Sequence, residues 1–179
     1  MSEKLKGLDY LTLASADDDF LEEVMHSGQA PDSDKLAGWE FKGYNSMDLT
    51  TVLGFRKFKK GFYRSDGNVC GYNVKVDQNG LIDPWVDQVK KGESVKHGWY
   101  DVLDIDAEAT DNLYPNSLLL NYDSDRNPKV DPSRVLRDYL VQVDPENTDL
   151  YLGKAFVAVG PKRVFVSYFI LERENPSSL

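Results

Sequence analysis

The stretch GKAFVAVGPKRVFVSYFILE, residues 153–172, decides the fold because it is the least polar part of the chain. A strand with one face in water alternates apolar and polar residues. Here both sides of a strand would be apolar, so each side needs a cover. The residues that would point to one side are Val164, Val166, Tyr168 and Ile170, and those that would point to the other are Phe165, Phe169 and Leu171.

A helix near the N-terminus is the candidate cover for one of these sides. Ser15 is typical of an N-cap, and acidic residues 17–19 follow it in the first turn, where the helix dipole favours negative charge. Gly28 and Pro31 mark its end. We therefore predict one helix over residues 15–27, the only helix that the sequence indicates, packed outside the sheet. Its apolar stripe consists of Phe20, Leu21, Val24 and Met25.

From residue 36 onward, short β-like runs alternate with turn residues. Asp66-Gly67-Asn68 is a strong hairpin signal because Gly and Asn accept positive φ angles, and Gly160-Pro161-Lys162 plays the same part between the last two runs. Asp131-Pro132-Ser133 predicts a short helical turn. The predicted strands are 36–44, 53–64, 68–77, 97–106, 117–122, 134–143, 150–159 and 163–173, with longer loops near 78–96, 107–116 and 123–133.

Eight antiparallel strands joined by mostly local turns fit a closed up-and-down barrel, because closure removes exposed sheet edges. We predict a mainly β fold, with a single antiparallel β-barrel over residues 36–173 and the N-terminal α-helix packed outside it. The length of the chain predicts one domain over residues 1–179. A two-sheet sandwich with the helix on an outer face is the alternative. A barrel of this size is either filled by side chains or holds one small ligand.

Composition and charge argue against several classes of function. The chain has 21 basic and 30 acidic residues and a net charge of −9, which disfavours nucleic acid as a partner. We interpret the one basic run, residues 56–60, as a solvated strand face. No window approaches the roughly 18 apolar residues of a membrane-spanning helix, and the N-terminus lacks a secretory signal. We therefore expect a cytoplasmic protein without membrane insertion, and leave a homodimer open.

Gly38 and Trp39 open the first predicted strand in GWEFKG, residues 38–43. On these residues and on its layout, the chain resembles the calycin superfamily of lipocalin-like barrels. Lipocalins carry Gly-x-Trp at this point, whereas here no residue separates the two. The resemblance implies a central cavity that binds a small, largely apolar molecule. It also implies an arginine on the last strand against the tryptophan, for which Arg163 and Arg173 are the candidates.

Familiar catalytic and metal-binding motifs are absent from the sequence. There is no nucleophile elbow, no dinucleotide-binding glycine motif and no P-loop. With one cysteine and two histidines, a zinc site of Cys and His ligands is not expected, and we expect no metal and no cofactor. Asp123 begins a stretch like a calcium-binding loop, but Pro128 and Arg134 stand where that loop requires glycine and glutamate. We interpret this stretch as a polar turn.

His97 is the best candidate for a general base, because imidazole titrates near neutral pH. Asp101 or Asp104, which follow on the same predicted strand, would orient its ring. At a cavity mouth, His97 and Asp101 would support proton transfer on a bound apolar substrate. An isomerase, cyclase or hydrolase that works inside the barrel is therefore the alternative function.

Aromatic residues from six predicted strands are the candidate ligand site. A tyrosine provides an apolar body with a hydroxyl group at its tip, which suits a ligand pocket. Arg137 and Tyr139 share a face, and Arg137 and Arg134 would anchor a carboxylate. We predict binding of a small hydrophobic or amphipathic ligand inside the barrel; a filled barrel that serves as an interaction protein is the third reading. The predicted ligand-binding residues are Trp39, Tyr72, Trp99, Arg137, Tyr139, Phe156 and Tyr168.

Overall fold

The structure is a computed structural model that describes residues 5–46, 55–109 and 112–179. Strands dominate it, and most of them begin and end within a few residues of the predicted bounds. The predicted start of the second strand, at residue 53, lies outside the described residues. The strands are β1 (Trp39–Asn45), β2 (Lys57–Ser65), β3 (Asn68–Lys75), β4 (Val89–Lys90), β5 (Glu93–Ser94), β6 (Lys96–Asp104), β7 (Leu118–Asn121), β8 (Leu136–Gln142), β9 (Leu150–Val159) and β10 (Lys162–Pro176).

Eight of these strands form a closed antiparallel barrel in the order β1-β10-β9-β8-β7-β6-β3-β2. The first and last strands pair with each other, with Glu40 opposite Asn175 and Asn45 opposite Phe169, and this ladder closes the barrel. The predicted mainly β fold with a single antiparallel barrel is therefore confirmed. The small β4–β5 hairpin lies in a stretch predicted as a loop, because two-residue strands are too short to show a period of two.

Three α-helices precede the barrel in the part of the chain that the structure describes: α1 (Tyr10–Ala14), α2 (Asp18–Ser27) and α3 (Ser33–Leu36). The N-cap of α2 is Asp17, whose side chain accepts a hydrogen bond from the Phe20 amide at 2.8 Å. The prediction of Ser15 as the N-cap is wrong, because Ser15 ends α1. The sequence indicated one helix only, since α1 and α3 are too short to show a helical period.

The predicted turn after Asp131 is confirmed as a 3-10 helix, Pro132–Val135, which leads into β8. The Asp131 side chain caps it by accepting a hydrogen bond from the Ser133 amide at 2.8 Å. None of the helices in the described residues is both long enough and apolar enough to cross a membrane.

Helix α2 covers the outer face of the barrel, as predicted from its apolar stripe. Leu21, Val24 and Met25 are completely buried against residues of β8, β9 and β10, and Phe20 packs at the edge of the same cluster. At about 25 cal/mol per Å² of buried apolar surface, each of these side chains stabilises the contact by roughly 1.5–3 kcal/mol.

A β-bulge in β10 changes the faces that two of its residues take. The register against β9 shifts between Phe165 and Ser167. Phe165 therefore packs on the outer face against the rings of Phe156 and Tyr168, with centroids 6.1 and 5.1 Å away, while Val166 lines the interior. The predicted sides of Phe165 and Val166 are wrong, because a bulge inserts one residue into the alternation.

Beyond the bulge, the predicted alternation of β10 is confirmed. Phe169 and Leu171 belong to the cluster inside the barrel. Tyr168 and Ile170 belong to the cluster between the barrel and the helices. Beyond the bulge both faces of the strand are thus covered, one by the interior and one by the N-terminal helices, whereas Val164 and Phe165 before it are 52% and 38% exposed.

One end of the barrel, which we call the closed end, is sealed by the segment before β1. Leu36 is completely buried there. The Arg173 guanidinium group lies 4.5 Å from the centroid of the Trp39 ring, and its Nε donates a hydrogen bond to Asp149 at 2.6 Å. Of the two arginine candidates, Arg173 rather than Arg163 makes the contact with the tryptophan that the resemblance implies.

Candidate functional site

The barrel contains a cavity of about 650 Å³ at the end opposite the closed end. The connections β3–β6, β7–β8 and β9–β10 lie at this open end, as do the last residue of β1 and the first residue of β2. The volume falls within the roughly 300–1,000 Å³ typical of small-molecule sites. The apolar lining includes Phe58, Leu136, Ala155, Val157, Val166 and Phe169, and the polar lining includes Lys60, Asn73, His97, Tyr122, Asp138 and Ser167.

Alternation along the strands locates the inner end of this cavity. On β2, Phe58 and Lys60 line the cavity, whereas Phe62, the next residue on that face, is completely buried in the side-chain core. On β8, Asp138 lines the cavity and Leu140 is buried in the same core. Residues two apart on a strand share a face, so Lys60 and Asp138 mark the boundary between the open and the filled half of the barrel. We call Lys60, Asn73, Tyr122 and Asp138 the cavity floor.

The Lys60 ammonium group hydrogen-bonds to the other three residues of the cavity floor. It donates hydrogen bonds to Asn73 Oδ1 and Asp138 Oδ2, each at 3.1 Å, and a third to the Tyr122 hydroxyl group. Tyr122 donates in turn to Asp138 Oδ2 at 3.0 Å, and the Asn73 amide donates to the Gly98 carbonyl group at 3.0 Å. An ammonium group has three N–H donors and no acceptor, so every donor of Lys60 is used.

Burial governs the protonation of these groups. Burial lowers the pKa of Lys60, and the Asp138 carboxylate acts in the opposite direction. The rings of Tyr100 and Phe169, with centroids 4.9 and 5.0 Å from Nζ, present further negative electrostatic potential to the ammonium group. Burial also raises the pKa of Tyr122 well above its ordinary value, so the phenol keeps the proton that it donates to Asp138.

The two carboxylate oxygens of Asp138 differ in their surroundings. Oδ2 accepts hydrogen bonds from Lys60 and Tyr122. Oδ1 is buried and has no hydrogen-bond partner among the described residues, although the residue as a whole is only 3% exposed. A buried polar atom without a partner is costly, and such atoms occur where water or a ligand completes the site.

His97 lines the cavity nearer its mouth, where solvent reaches the residue. The protein atoms around the imidazole disfavour its charged form and, with the positive charges of Lys75 and Lys60, lower its pKa to about 4, against the opposing effect of Asp131. His97 is therefore neutral at pH 7 and able to accept a proton. The carboxylate whose charge raises the pKa of His97 is that of Asp131, not that of the predicted partner Asp101.

The structure does not bring His97 and Asp101 together. The Asp101 side chain forms an ion pair with Arg126 and lies 3.9 Å from Cys70 Sγ, on the outside of β6. Asp104 is exposed at the end of the same strand.

Three predicted ligand-binding residues lie together on the outer face of the barrel, beneath the helices. The rings of Tyr139 and Phe156 are in edge-to-face contact at 5.6 Å between centroids. The Tyr168 hydroxyl group donates a hydrogen bond to Glu22 of α2 at 2.7 Å. These side chains fix α2 to the barrel.

The other four predicted ligand-binding residues are spread over the barrel. Tyr72 and Trp99 pack together on the outside of β3 and β6, with ring centroids 5.4 Å apart. Arg137 Nη1 donates to the Arg134 carbonyl group at 2.9 Å, and Trp39 lies at the closed end. Within the described ranges, the cavity lining contains His97 but none of the seven predicted ligand-binding residues.

The sequence analysis did not identify the residues of the cavity floor. Its clearest error is the interpretation of the basic run, residues 56–60. Lys57, Lys59 and Lys60 are only 1%, 6% and 2% exposed, so the prediction of a solvated strand face is wrong. Lys57 donates to the carbonyl groups of Gly80 and Asp83, each at 2.9 Å, outside the barrel, while Lys60 points inside. The sequence did contain a sign that Lys60 points inside: it lies two residues from both Phe58 and Phe62, so all three share one face of the strand.

Comparisons with other proteins do not assign the site. The chain matches no family model and no curated protein. In the described part of the chain, no three His, Cys, Asp or Glu side chains are grouped so that they would hold a metal ion.

Proposed function

We propose that the barrel binds a small hydrophobic or amphipathic molecule in its interior, as a lipocalin-like carrier does. The observation that carries the proposal is the cavity of about 650 Å³, with apolar walls and hydrogen-bonding groups at its inner end. Specific ligand sites combine these two properties, because the apolar walls supply affinity and a few polar groups fix the orientation. The Trp39–Arg173 contact at the closed end gives the proposal further support, through the resemblance to the calycins.

The shape of the interior favours this proposal over a filled barrel that serves only for interaction. Phe62, Tyr100 and Leu140 pack the half of the barrel next to the closed end. Had the whole interior evolved to be packed, side chains of similar size would be expected in the other half. Ala155 and Ser167 instead face the cavity there, and their small size leaves room for a ligand.

Filling the cavity tests the proposal. Ala155→Phe places a ring in the cavity wall, and we expect it to weaken binding of the neutral apolar dye N-phenylnaphthylamine at least tenfold, measured by fluorescence titration. Ala158→Phe is the matched control, since Ala158 lies on the same strand outside the cavity lining. Circular dichroism of both variants checks the fold.

Two results would contradict the proposal. One is a wild-type protein that does not bind the dye. The other is a folded Ala155→Phe variant that binds it as tightly as the Ala158→Phe control does.

A barrel enzyme is the second candidate, and the position of His97 is the observation that favours it. This residue lines the same cavity and carries a neutral imidazole at pH 7, although the lowering of its pKa to about 4 makes it a weaker base than a free imidazole. A general base must be unprotonated at the working pH and within reach of its substrate.

His97→Ala separates the two candidates. A carrier keeps its affinity for the dye and shows no turnover that depends on His97. A hydrolase loses cleavage of p-nitrophenyl esters in this variant, by roughly 10²–10⁴-fold, while dye binding remains. Equal cleavage by the wild-type and variant proteins, or none by either, speaks against a hydrolase.

A further inference from the structure

We propose that the ligand is a neutral, elongated apolar molecule that carries a hydroxyl group at one end, bound with this hydroxyl group at the cavity floor against Oδ1 of Asp138. The inference rests on the proposed function, because it names the chemical class of the molecule that the cavity takes. Three properties of the cavity floor lead to it: its vacant acceptor, its occupied donors and its balance of charge.

The vacant acceptor is Oδ1 of Asp138. Asp138 lines the cavity and is 3% exposed, and this oxygen has no hydrogen-bond partner among the residues that the structure describes. Oδ1 itself has almost no accessible surface, so the Asp138 carboxyl group must turn toward the cavity before a ligand group that donates a hydrogen bond can complete it. Hydrogen bonds to charged groups are stronger than those between neutral groups, so a single donor contributes substantially to affinity.

The donors at the floor are already engaged within the protein. Lys60 donates to Asn73, Asp138 and Tyr122, and Tyr122 donates to Asp138. A ligand carboxylate needs donors, and it would find them here only by breaking one of these hydrogen bonds. Despite its buried lysine, the cavity floor is therefore poorly suited to the head group of a fatty acid.

The charges at the floor cancel, which disfavours a charged ligand of either sign. Lys60 and Asp138 form a buried ion pair at 3.1 Å, with side chains 3% and 5% exposed. An added carboxylate or ammonium group would place one uncompensated charge in this buried site. A hydroxyl group adds a donor without adding a charge.

The side chains that line the cavity above the floor indicate the chemistry of the rest of the ligand. Phe58, Val157, Val166 and Leu136 line the cavity between the floor and the open end. A hydrocarbon chain or ring system extending from the hydroxyl group would contact these side chains. Bound in the reverse direction, the ligand would press its apolar end against an ion pair.

Four decyl compounds test the inference by isothermal titration calorimetry on the wild-type protein. They share one hydrocarbon chain and differ in the head group: n-decanol, its methyl ether, decanoate and decylammonium. The methyl ether keeps the acceptor oxygen of the alcohol but lacks the donor. We expect the alcohol to bind at least tenfold more tightly than the ether and than either ion, the difference that one hydrogen bond to a charged group provides.

The outcomes separate this inference from the proposed function. Equal affinity for the alcohol and the ether overturns the inference, as does tightest binding of decanoate or of decylammonium, which would place the head group elsewhere. Binding of N-phenylnaphthylamine without binding of n-decanol also overturns it and leaves the proposed function standing. A protein that binds neither the dye nor any decyl compound refutes both.

A variant without the floor pair gives an independent test. In Lys60→Met/Asp138→Leu the acceptor is gone, and we expect the ratio of alcohol to ether affinity to fall to about one. A preference for the alcohol that survives in this variant overturns the role of Asp138. Should the variant fail to fold, the comparison of the four compounds on the wild-type protein still decides the inference.

Discussion

The burial of Lys60 is explained by its neighbours in space rather than by its own chemistry. A lysine is almost never fully buried unless it is paired, and this one is 2% exposed. Asp138 and Tyr122 supply the charge and the hydrogen bonds that make its burial tolerable. The pair therefore acts as a unit, and the removal of either member leaves the other charge buried without its partner.

The loss of one member of the pair is expected to be worse than the loss of both. Lys60→Met leaves the Asp138 carboxylate uncompensated and should lower the free energy of unfolding by about 3–5 kcal/mol. Lys60→Met/Asp138→Leu removes both charges and should recover most of this loss, because no unpaired charge is left in the buried site. Urea denaturation of the two variants measures the difference; equal stabilities would show that the pair is not a unit.

At the scale of single residues, the sequence revealed less of the site than of the fold. The chemistry of His97 made it the candidate for a general base, which stays a prediction; its position in the cavity lining is a finding of the structure. Lys60 and Asp138 could not be found by chemical type alone, because both types are usually exposed. Their neighbours carried the information: Asp138 lies between Leu136 and Leu140 on one strand face, as Lys60 does between two phenylalanines.

Among the elements, α2 is attached to the barrel by a polar contact as well as by its apolar stripe. Glu22 accepts hydrogen bonds from Tyr114, Lys154 and Tyr168, each at 2.7 Å. Burial by itself would raise the pKa of Glu22, but the hydrogen bonds from Lys154, Tyr168 and Tyr114 and the charge of Lys154 outweigh it and lower the pKa to about 2. The ionised carboxylate is thus the form that the folded protein prefers.

The contact of Glu22 with the barrel should make the free energy of unfolding depend on pH in the acidic range. Because the pKa of Glu22 falls from an ordinary 4.5 to about 2 on folding, its contribution is complete above pH 4.5 and is lost as the pH approaches 2. We expect Glu22→Gln to lower the free energy of unfolding by about 1 kcal/mol at pH 7, given its partial exposure, and by much less at pH 2. Urea denaturation at both pH values measures this change.

The exposed Glu108, in the β6–β7 connection, supplies the control for this acid dependence. Glu108→Gln should change the stability by less than about 0.5 kcal/mol at either pH. An effect of Glu22→Gln that is the same at pH 7 and at pH 2 would contradict the assignment.

The elements also show where sequence patterns stop being informative. Strand positions followed from hairpin signals and apolar runs, and those of β3 and β9 agree closely with the structure. The side that a residue takes did not follow in β10, since a bulge at Val166 leaves no mark in the sequence pattern. The placement of Tyr139, Phe156 and Tyr168 was equally open, because aromatic residues suit both a cavity wall and the contact with a helix.

At the scale of the whole molecule, the barrel interior has two halves that differ in packing. Toward the closed end, Phe41, Phe62 and Tyr151 pack in edge-to-face contacts that fill the interior. Toward the open end, small side chains leave the cavity. This division places the cavity next to a close-packed core, which holds the groups of the cavity floor in place. The barrel architecture was predictable from the count and spacing of strands, whereas the boundary between the halves depends on packing that no local pattern records.

The ladder between β1 and β10 bears on how the chain is made. Synthesis runs from the N-terminus, so β1 emerges from the ribosome early and must wait for its second neighbour until β10 has been produced. During that interval β1 and β9 each keep an unpaired edge, and the apolar inner face of the sheet stays open to other chains. Barrel closure therefore has to wait for residues 162–176, and we expect the nascent protein to be most prone to aggregation just before they emerge.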